Sequence, residues 1–150
     1  MHDDIAAEIA LLSRSAHPDE FPLRMIGMRE TRSENSWMHN SPLLMRGDRN
    51  QHGLINIDDA AELHIGDGEE VRVSSPYGRI NVAVTVTKDI MPGVIAVPHG
   101  WGHKGTGSWR LANRAGGANV NQLTSSDPDD VESLSGMAWL TGVPVRVDTL

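Results

Sequence analysis

Arg79-Ile80-Asn81-Val82-Ala83-Val84-Thr85-Val86 is the stretch whose reading decides the fold. Ile80, Val82, Val84 and Val86 point one way, while Asn81, Ala83 and Thr85 point the other. That period of two belongs to a half-buried strand. Just ahead of it Ser75-Pro76-Tyr77-Gly78 is a turn signal, and Val71-Arg72-Val73 alternates in the same way. Residues 70–74 and 80–86 therefore read as a hairpin. Further strands lie outward on both sides. Leu23-Arg24-Met25-Ile26-Gly27-Met28 reads as one, and Val94-Ile95-Ala96-Val97, after the turn Met91-Pro92-Gly93, is a continuous apolar run suited to a buried one. Val143-Pro144-Val145-Arg146-Val147 reads as a closing strand whose proline implies an edge position or a strand start.

Helices are few and short. Residues 3–14 repeat Ile5, Ile9 and Leu12 at helical spacing, with Asp3 or Asp4 as a cap, and are expected to pack on the same domain or to mark its boundary, ahead of a partner-binding role. Asn56 to Leu63 reads as a second helix, Asn56 its cap and Asp59 three residues on, close to a capping box. No long crossover helices separate the strands. The fold class that follows is mainly β, a compact closed barrel with short inserted helices, rather than a parallel α/β sheet.

A chain of 150 residues fits one domain able to bury a core unaided. With no cysteine it has no disulfide framework, thiolate metal site or catalytic thiol. No apolar run approaches the ~20 residues of a membrane helix. The start lacks a basic segment followed by an apolar one, so the chain reads as soluble and cytoplasmic, with no membrane partner. A net charge of −7 argues against a nucleic-acid partner. Its distribution is uneven: residues 21–50 carry +2, residues 98–126 carry +3 without one acid, and the remainder carries −12. Two basic, Gly- and Asn-rich segments in an acidic chain point to a local anion site.

Those segments hold the chemistry. Arg32-Ser33-Glu34-Asn35-Ser36-Trp37-Met38-His39-Asn40 follows the first strand and is polar and aromatic at once, as suits the wall of a site for a large, flat, polar ligand. Pro98-His99-Gly100-Trp101-Gly102-His103-Lys104-Gly105-Thr106-Gly107 follows the apolar strand, and its glycines let a backbone approach closely. Asn113 to Thr124 adds asparagines, whose amides meet a heterocycle's donor and acceptor edge. A catalytic reading fares worse. His99 and His103 have helical ligand spacing, but Gly100 and Gly102 oppose a helix there and no third ligand stands out. Ser108 lies near His103, though spacing alone does not make a nucleophile and its base, and Gly107-Ser108 resembles a self-cleaving pyruvoyl junction only as a common dipeptide. Phosphate-loop and dinucleotide-fold glycine motifs are absent. No residue is assigned a catalytic or metal-binding role.

Together these pieces resemble the C-terminal, molybdopterin-dinucleotide-binding domain of the molybdopterin oxidoreductase superfamily, which contains formate dehydrogenases, nitrate reductases and dimethyl sulfoxide reductase. The resemblance runs from Ile26-Gly27-Met28-Arg29 and Asn35-Ser36-Trp37-Met38-His39-Asn40 through Asn56 to Ser75 with Tyr77-Gly78-Arg79. It continues in Met91-Pro92-Gly93-Val94, His99-Gly100-Trp101, Asn119-Val120-Asn121-Gln122-Leu123-Thr124 and Gly142 to Val147. It implies a double-psi β-barrel over residues 22–150, with residues 1–21 an N-terminal extension or linker. It also implies a molybdopterin guanine dinucleotide cofactor, its molybdenum or tungsten held mainly by other domains. The partners would be the remaining domains or subunits of a formate-dehydrogenase-like oxidoreductase, the isolated chain not being catalytic. By position, Arg29, Arg32, Ser33, Asn35, Ser36, Trp37 and His39 would form one cofactor wall, His99, Gly100, Trp101, His103 and Lys104 a second, and Asn119 and Asn121 a third. Trp37 or Trp101 would meet ring faces. His64 stands where the family commonly has glycine after the short helix, so it is expected in a left-handed backbone. The rival reading is a protein-interaction module on the same barrel, without cofactor.

Overall fold

The computed structural model describes residues 3–12, 20–47, 49–105, 109–132 and 135–150. Gly107-Ser108 and the last two residues of the 3–14 helix reading lie outside them. Among the described residues there are six strands: β1 (Leu23–Met28), β2 (His52–Asn56), β3 (Glu70–Ser74), β4 (Arg79–Thr87), β5 (Val94–Pro98) and β6 (Val143–Thr149). They close into a barrel in the order β1-β5-β2-β4-β3-β6. This is the mainly β, closed architecture with short helices that the sequence implied. The β3–β4 hairpin has the expected register, Val71 opposite Val82 and Val73 opposite Ile80. One face of each strand fills the interior: Met25, Ile55, Val71, Val73, Val84, Ile95, Val97, Val145 and Val147 are all fully buried. At about 1.5–3 kcal/mol for each such side chain, this layer is the main stabilising term.

Closure depends on a strand that the periodicity did not reveal. β2 pairs parallel with β4 and antiparallel with β5, bridging the hairpin to the apolar strand. Its sequence, His-Gly-Leu-Ile-Asn, holds only two adjacent apolar residues. The reading that Pro144 marks an edge is half corrected. Pro144 is the second residue of β6, so a strand start is right, but β6 pairs with both β1 and β3 and has no free edge.

Among the helices, α1 (Asp3–Leu12) forms where expected, yet Ile5 and Ile9 are exposed rather than packed on the barrel. α2 (Ile57–Glu62) is capped as read, Asn56 accepting a hydrogen bond from the Asp58 amide at 2.8 Å. The capping box is not made. Asp59 instead accepts from the Gly93 amide at 2.7 Å, tying α2 to the turn before β5. His64 adopts φ 57°, the left-handed backbone expected of it. A helix not foreseen, α3 (Arg110–Arg114), follows the second polar segment.

The consequence for function is topological. β1 and β5 run parallel with Met28 beside Pro98, so the segments that follow them, 29–40 and 99–105, leave the same end of the barrel side by side. Among the described residues no helix is long and apolar enough to cross a membrane.

Candidate functional site

The first segment is built around a buried polar cluster. The Ser33 hydroxyl donates to Glu30 Oε2 at 3.1 Å and is met by Arg49 Nη2 and His39 Nε2, each at 2.9 Å. Its single proton is committed to Glu30, so both nitrogens must donate to Ser33 Oγ. His39 therefore carries its proton on Nε2, an assignment made from the bonding pattern. Its buried Nδ1 has no hydrogen bond of ordinary geometry among the described residues, the Gly100 backbone being the polar group the ring interacts with. The Trp101 indole N–H crosses from the second segment to donate to Glu30 Oε2 at 2.7 Å. His39 packs against one side of the Trp101 ring at 4.4 Å between centroids, and the Arg49 guanidinium lies 5.7 Å from the ring centre. Arg32 donates to the carbonyls of Leu44 and Arg46, and Arg49 to that of Arg32, folding residues 41–47 under the segment.

On this base sits a strained tip. Glu34, Asn35 and Ser36 have φ of 42°, 52° and 83°, three consecutive non-glycine residues in the left-handed region. Such backbone costs about 1–2 kcal/mol for each residue and persists only where the surroundings enforce it, as they do at ligand clamps. The enforcing contact comes from Gly100, at φ 86°, where a Cβ would lie 2.9 Å from the Ser36 amide nitrogen. His99 locks the pair: Nδ1 bonds the Met28 carbonyl at 2.8 Å and Nε2 meets the Asn35 side-chain amide.

The residues singled out by sequence thus separate into distinct groups. Arg29, His99 and Asn121 line one cavity of about 250 Å³ with Thr124 and Thr141. Arg29, Asn35 and His99 also line an adjoining one of about 300 Å³, so the two form a groove at the shared end of β1 and β5. Ser36, His39 and Trp101 are interior, and Trp101, at 3% exposed, has its ring packed by His39 and Arg49, while Ser33, though buried, lines the adjoining cavity with Glu30 and Glu34. Trp37 is 73% exposed and meets the edge of Trp109, on whose ring His103 stacks. Lys104 and Asn119 reach a separate cavity over β3 and β4. His99 and His103 diverge, one toward Asn35 and the other toward Trp109.

Three contributors escaped the sequence reading. Glu30 and Arg49 are an ion pair at 3.5 Å whose only sequence signal was an acid inside a basic segment. Gln51, buried, donates to the carbonyls of Pro98 and Ala118 and accepts from the Ala118 amide, clamping the third segment to the end of β5. A lone glutamine gives no signal for that role.

The cluster makes the fold sensitive to acid. Burial first, and the neighbouring Arg49 guanidinium second, push the His39 imidazole below its ordinary value, with Glu30 partly offsetting them. Folded His39 is therefore neutral where the unfolded chain begins to take up a proton, near pH 6.5. Its contribution is complete above that pH and is lost as the pH falls below it. Thermal melting between pH 7.5 and 5.5 should show stability falling toward acid, and less steeply in His39→Gln. Equal slopes in the two proteins would remove His39 from the account.

The model of the molydopterin dinucleotide binding domain matches residues 23–137. Arsenate respiratory reductase molybdopterin-containing subunit ArrA of Chrysiogenes arsenatis is 32% identical over 142 residues, 85% of this chain and 16% of that protein. F420-dependent formate dehydrogenase 2 subunit alpha of Methanococcus maripaludis is 49% identical over 41 residues, 27% of this chain and 6% of its own length. Acetylene hydratase from Pelobacter acetylenicus superposes with a TM-score of 0.72 at 21% identity, over 87% of this chain and 19% of that one, a likeness of fold. The chain thus spans about a fifth or less of these proteins.

Proposed function

The chain belongs to the molydopterin dinucleotide binding domain family, and from that premise we propose that the groove at the shared end of β1 and β5 receives the pterin part of the dinucleotide. The whole protein in which the domain works is, on this reading, a molybdenum or tungsten oxidoreductase of formate-dehydrogenase-like type, with the chain as its C-terminal domain or as a small subunit. The dinucleotide is the guanine form. The domain closes over the cofactor while other domains supply the metal ligand and the substrate channel.

The observation that carries the proposal is the convergence of Arg29, His99 and Asn121 on one groove from three separate segments. Its chemistry suits the group. Arg29 has no carboxylate partner among the described residues, so its guanidinium is available to a phosphate oxygen. The Asn121 side chain makes no hydrogen bond there, while its backbone amide is held by Asn119. Its amide can meet a pterin edge with both a donor and an acceptor. Gly27, Met25, Val120 and Leu140 give the groove an apolar floor for a flat ring. The strained Asn35, fixed by His99, stands at the rim with its amide held in place. When bound, the cofactor supplies the metal centre at which electrons are exchanged. The residues of this chain bind, orient and shield it.

The test is cofactor retention in the protein that carries the domain. Arg29→Ala and Asn121→Ala should each lower the bound pterin, measured as oxidised pterin fluorescence per protein, together with the metal content. Loss of one hydrogen bond to a charged group corresponds to an affinity roughly 10-fold weaker or more. Variants that stay folded and keep full cofactor would overturn the assignment of the groove.

A further inference from the structure

A second cavity, larger than either part of the groove, lies over the outer face of the β3–β4 hairpin. Its volume is about 550 Å³, and it shares no lining residue with the groove. Arg72, Arg79, Asn81, Lys104, Asn119 and Gln122 face it, with Glu70 its one acid. The short 3-10 helix Val120–Leu123 and its cap separate the two sites, giving Asn119 and Gln122 to this cavity and Val120 and Asn121 to the groove.

An open row of arginines on a sheet is usually just solvated surface, but three features here say otherwise. The first is charge. The chain holds 20 acids against 13 Lys and Arg, yet among the described residues none of Arg72, Arg79 and Lys104 has a carboxylate within ion-pair distance. Across the strands Arg79 faces the neutral Ser74, and Arg72 stands between the neutral Asn81 on β4 and Asp148 on β6, whose carboxylate is taken by Arg146 at 3.0 Å. The second is origin: two cations come from the strands of the β3–β4 hairpin, and the third from the segment after β5, which the barrel brings over that hairpin.

The third is rigidity of the wall. At Gly78, in the hairpin turn, a Cβ would overlap the Gln122 carbonyl oxygen, and at Gly102 it would overlap the Ala118–Asn119 backbone. The 117–122 segment is thereby gripped from both sides, and the buried Gln51 clamp holds Ala118 from beneath. Asn119 and Gln122 are carried on backbone that cannot shift, so their amides face the cations in a fixed arrangement.

We propose that this cavity is a phosphate-binding site for a diphosphate group. Its net charge of +2, two guanidiniums that can each engage two oxygens, and an ammonium match a polyanion, and the three amides add neutral donors. The volume exceeds the need of a single oxyanion. A diphosphate reaching it has two sources: the dinucleotide's own diphosphate, extended past the 120–123 helix, or a free phosphate compound binding independently of the groove.

Calorimetric titration of the full chain with inorganic pyrophosphate tests the site. Saturable binding is expected, weakened at least roughly 10-fold in Arg72→Ala and in Arg79→Ala, the loss of one charge-assisted contact. Arg72 and Arg79 do not line the groove, so a loss confined to these two variants reads this cavity alone, and failure here is distinct from failure of the groove assignment. Both variants alter exposed side chains and should melt as wild type. Repeating the titration on cofactor-loaded protein identifies the source. Abolished binding assigns the site to the cofactor's own diphosphate, and undiminished binding to a free phosphate compound. Either result supports the site. No saturable binding to the wild-type chain, or equal binding by wild type and both arginine variants, would overturn it.

Discussion

Gly102→Ala is expected to destabilise the chain by about 4 kcal/mol, and Gly116→Ala by only about 1 kcal/mol. Both glycines hold left-handed backbone, with φ of 76° and 72°. The conformational cost of alanine is therefore the same at the two sites, about 1–2 kcal/mol. What differs is space. Nothing lies within 4 Å of a Cβ added at Gly116, whereas one added at Gly102 would overlap the amide of Asn119 and the backbone of Ala118. Those atoms cannot yield, because the Gly102 amide bonds the Gly116 carbonyl at 3.1 Å and Gln51 grips Ala118 on its other side. Overpacking against a fixed backbone adds about 1–3 kcal/mol. Melting should drop by roughly 10 °C for Gly102→Ala and by a few degrees for Gly116→Ala, given the size of the chain. Similar melting temperatures would show that the second and third segments are not packed as rigidly as described. Both the groove and the diphosphate cavity would then lose their common wall.

The barrel was legible wherever one strand face is apolar and the other polar. β1, β3, β4, β5 and β6 all announce themselves that way or as an unbroken apolar run. β2 does not, and the reason is packing: a Cβ at Gly53 would come within 3.3 Å of the Ala96 carbonyl of β5. A glycine favoured by close strand approach takes a side chain out of the pattern that would identify the strand. The same limit applies at the site. Sequence marked out the three segments, because Asn, Gly, His and Trp stood together in basic runs. It could not divide them into lining and scaffold, since that depends on partners far apart in the chain. Trp101 is interior because Glu30, 71 residues earlier, takes its N–H. Asn119 and Asn121 look equivalent in the sequence, but a turn of 3-10 helix sends them to different cavities.

That scaffold makes the second large effect. Arg49→Met is expected to cost about 3 kcal/mol, although methionine keeps most of the aliphatic length. Arg49 pairs with Glu30 at side-chain exposures of 12% and 24%, donates to Ser33 Oγ and the Arg32 carbonyl, and lies over Trp101. Breaking a fully buried pair costs about 3–5 kcal/mol, and partial exposure places this one at the lower end. The penalty comes from what is left behind: a Glu30 carboxylate with two neutral donors, Ser33 and Trp101, and no cation. Glu30→Gln should therefore rescue part of it. Denaturant melts of the two single variants and the double variant would give a coupling of about 1–2 kcal/mol, the double variant being less destabilised than the sum of the singles. Strict additivity would mean that Arg49 acts through its backbone contacts and the Trp101 ring alone. Arg49→Met carries a second readout, because Arg49 does not line the groove, whereas Glu30 does. If the cluster exists to hold the strained Glu34–Ser36 tip, Arg49→Met should lower cofactor retention in the folded protein. A merely stabilising pair would move the melting temperature and leave retention in the folded protein unchanged.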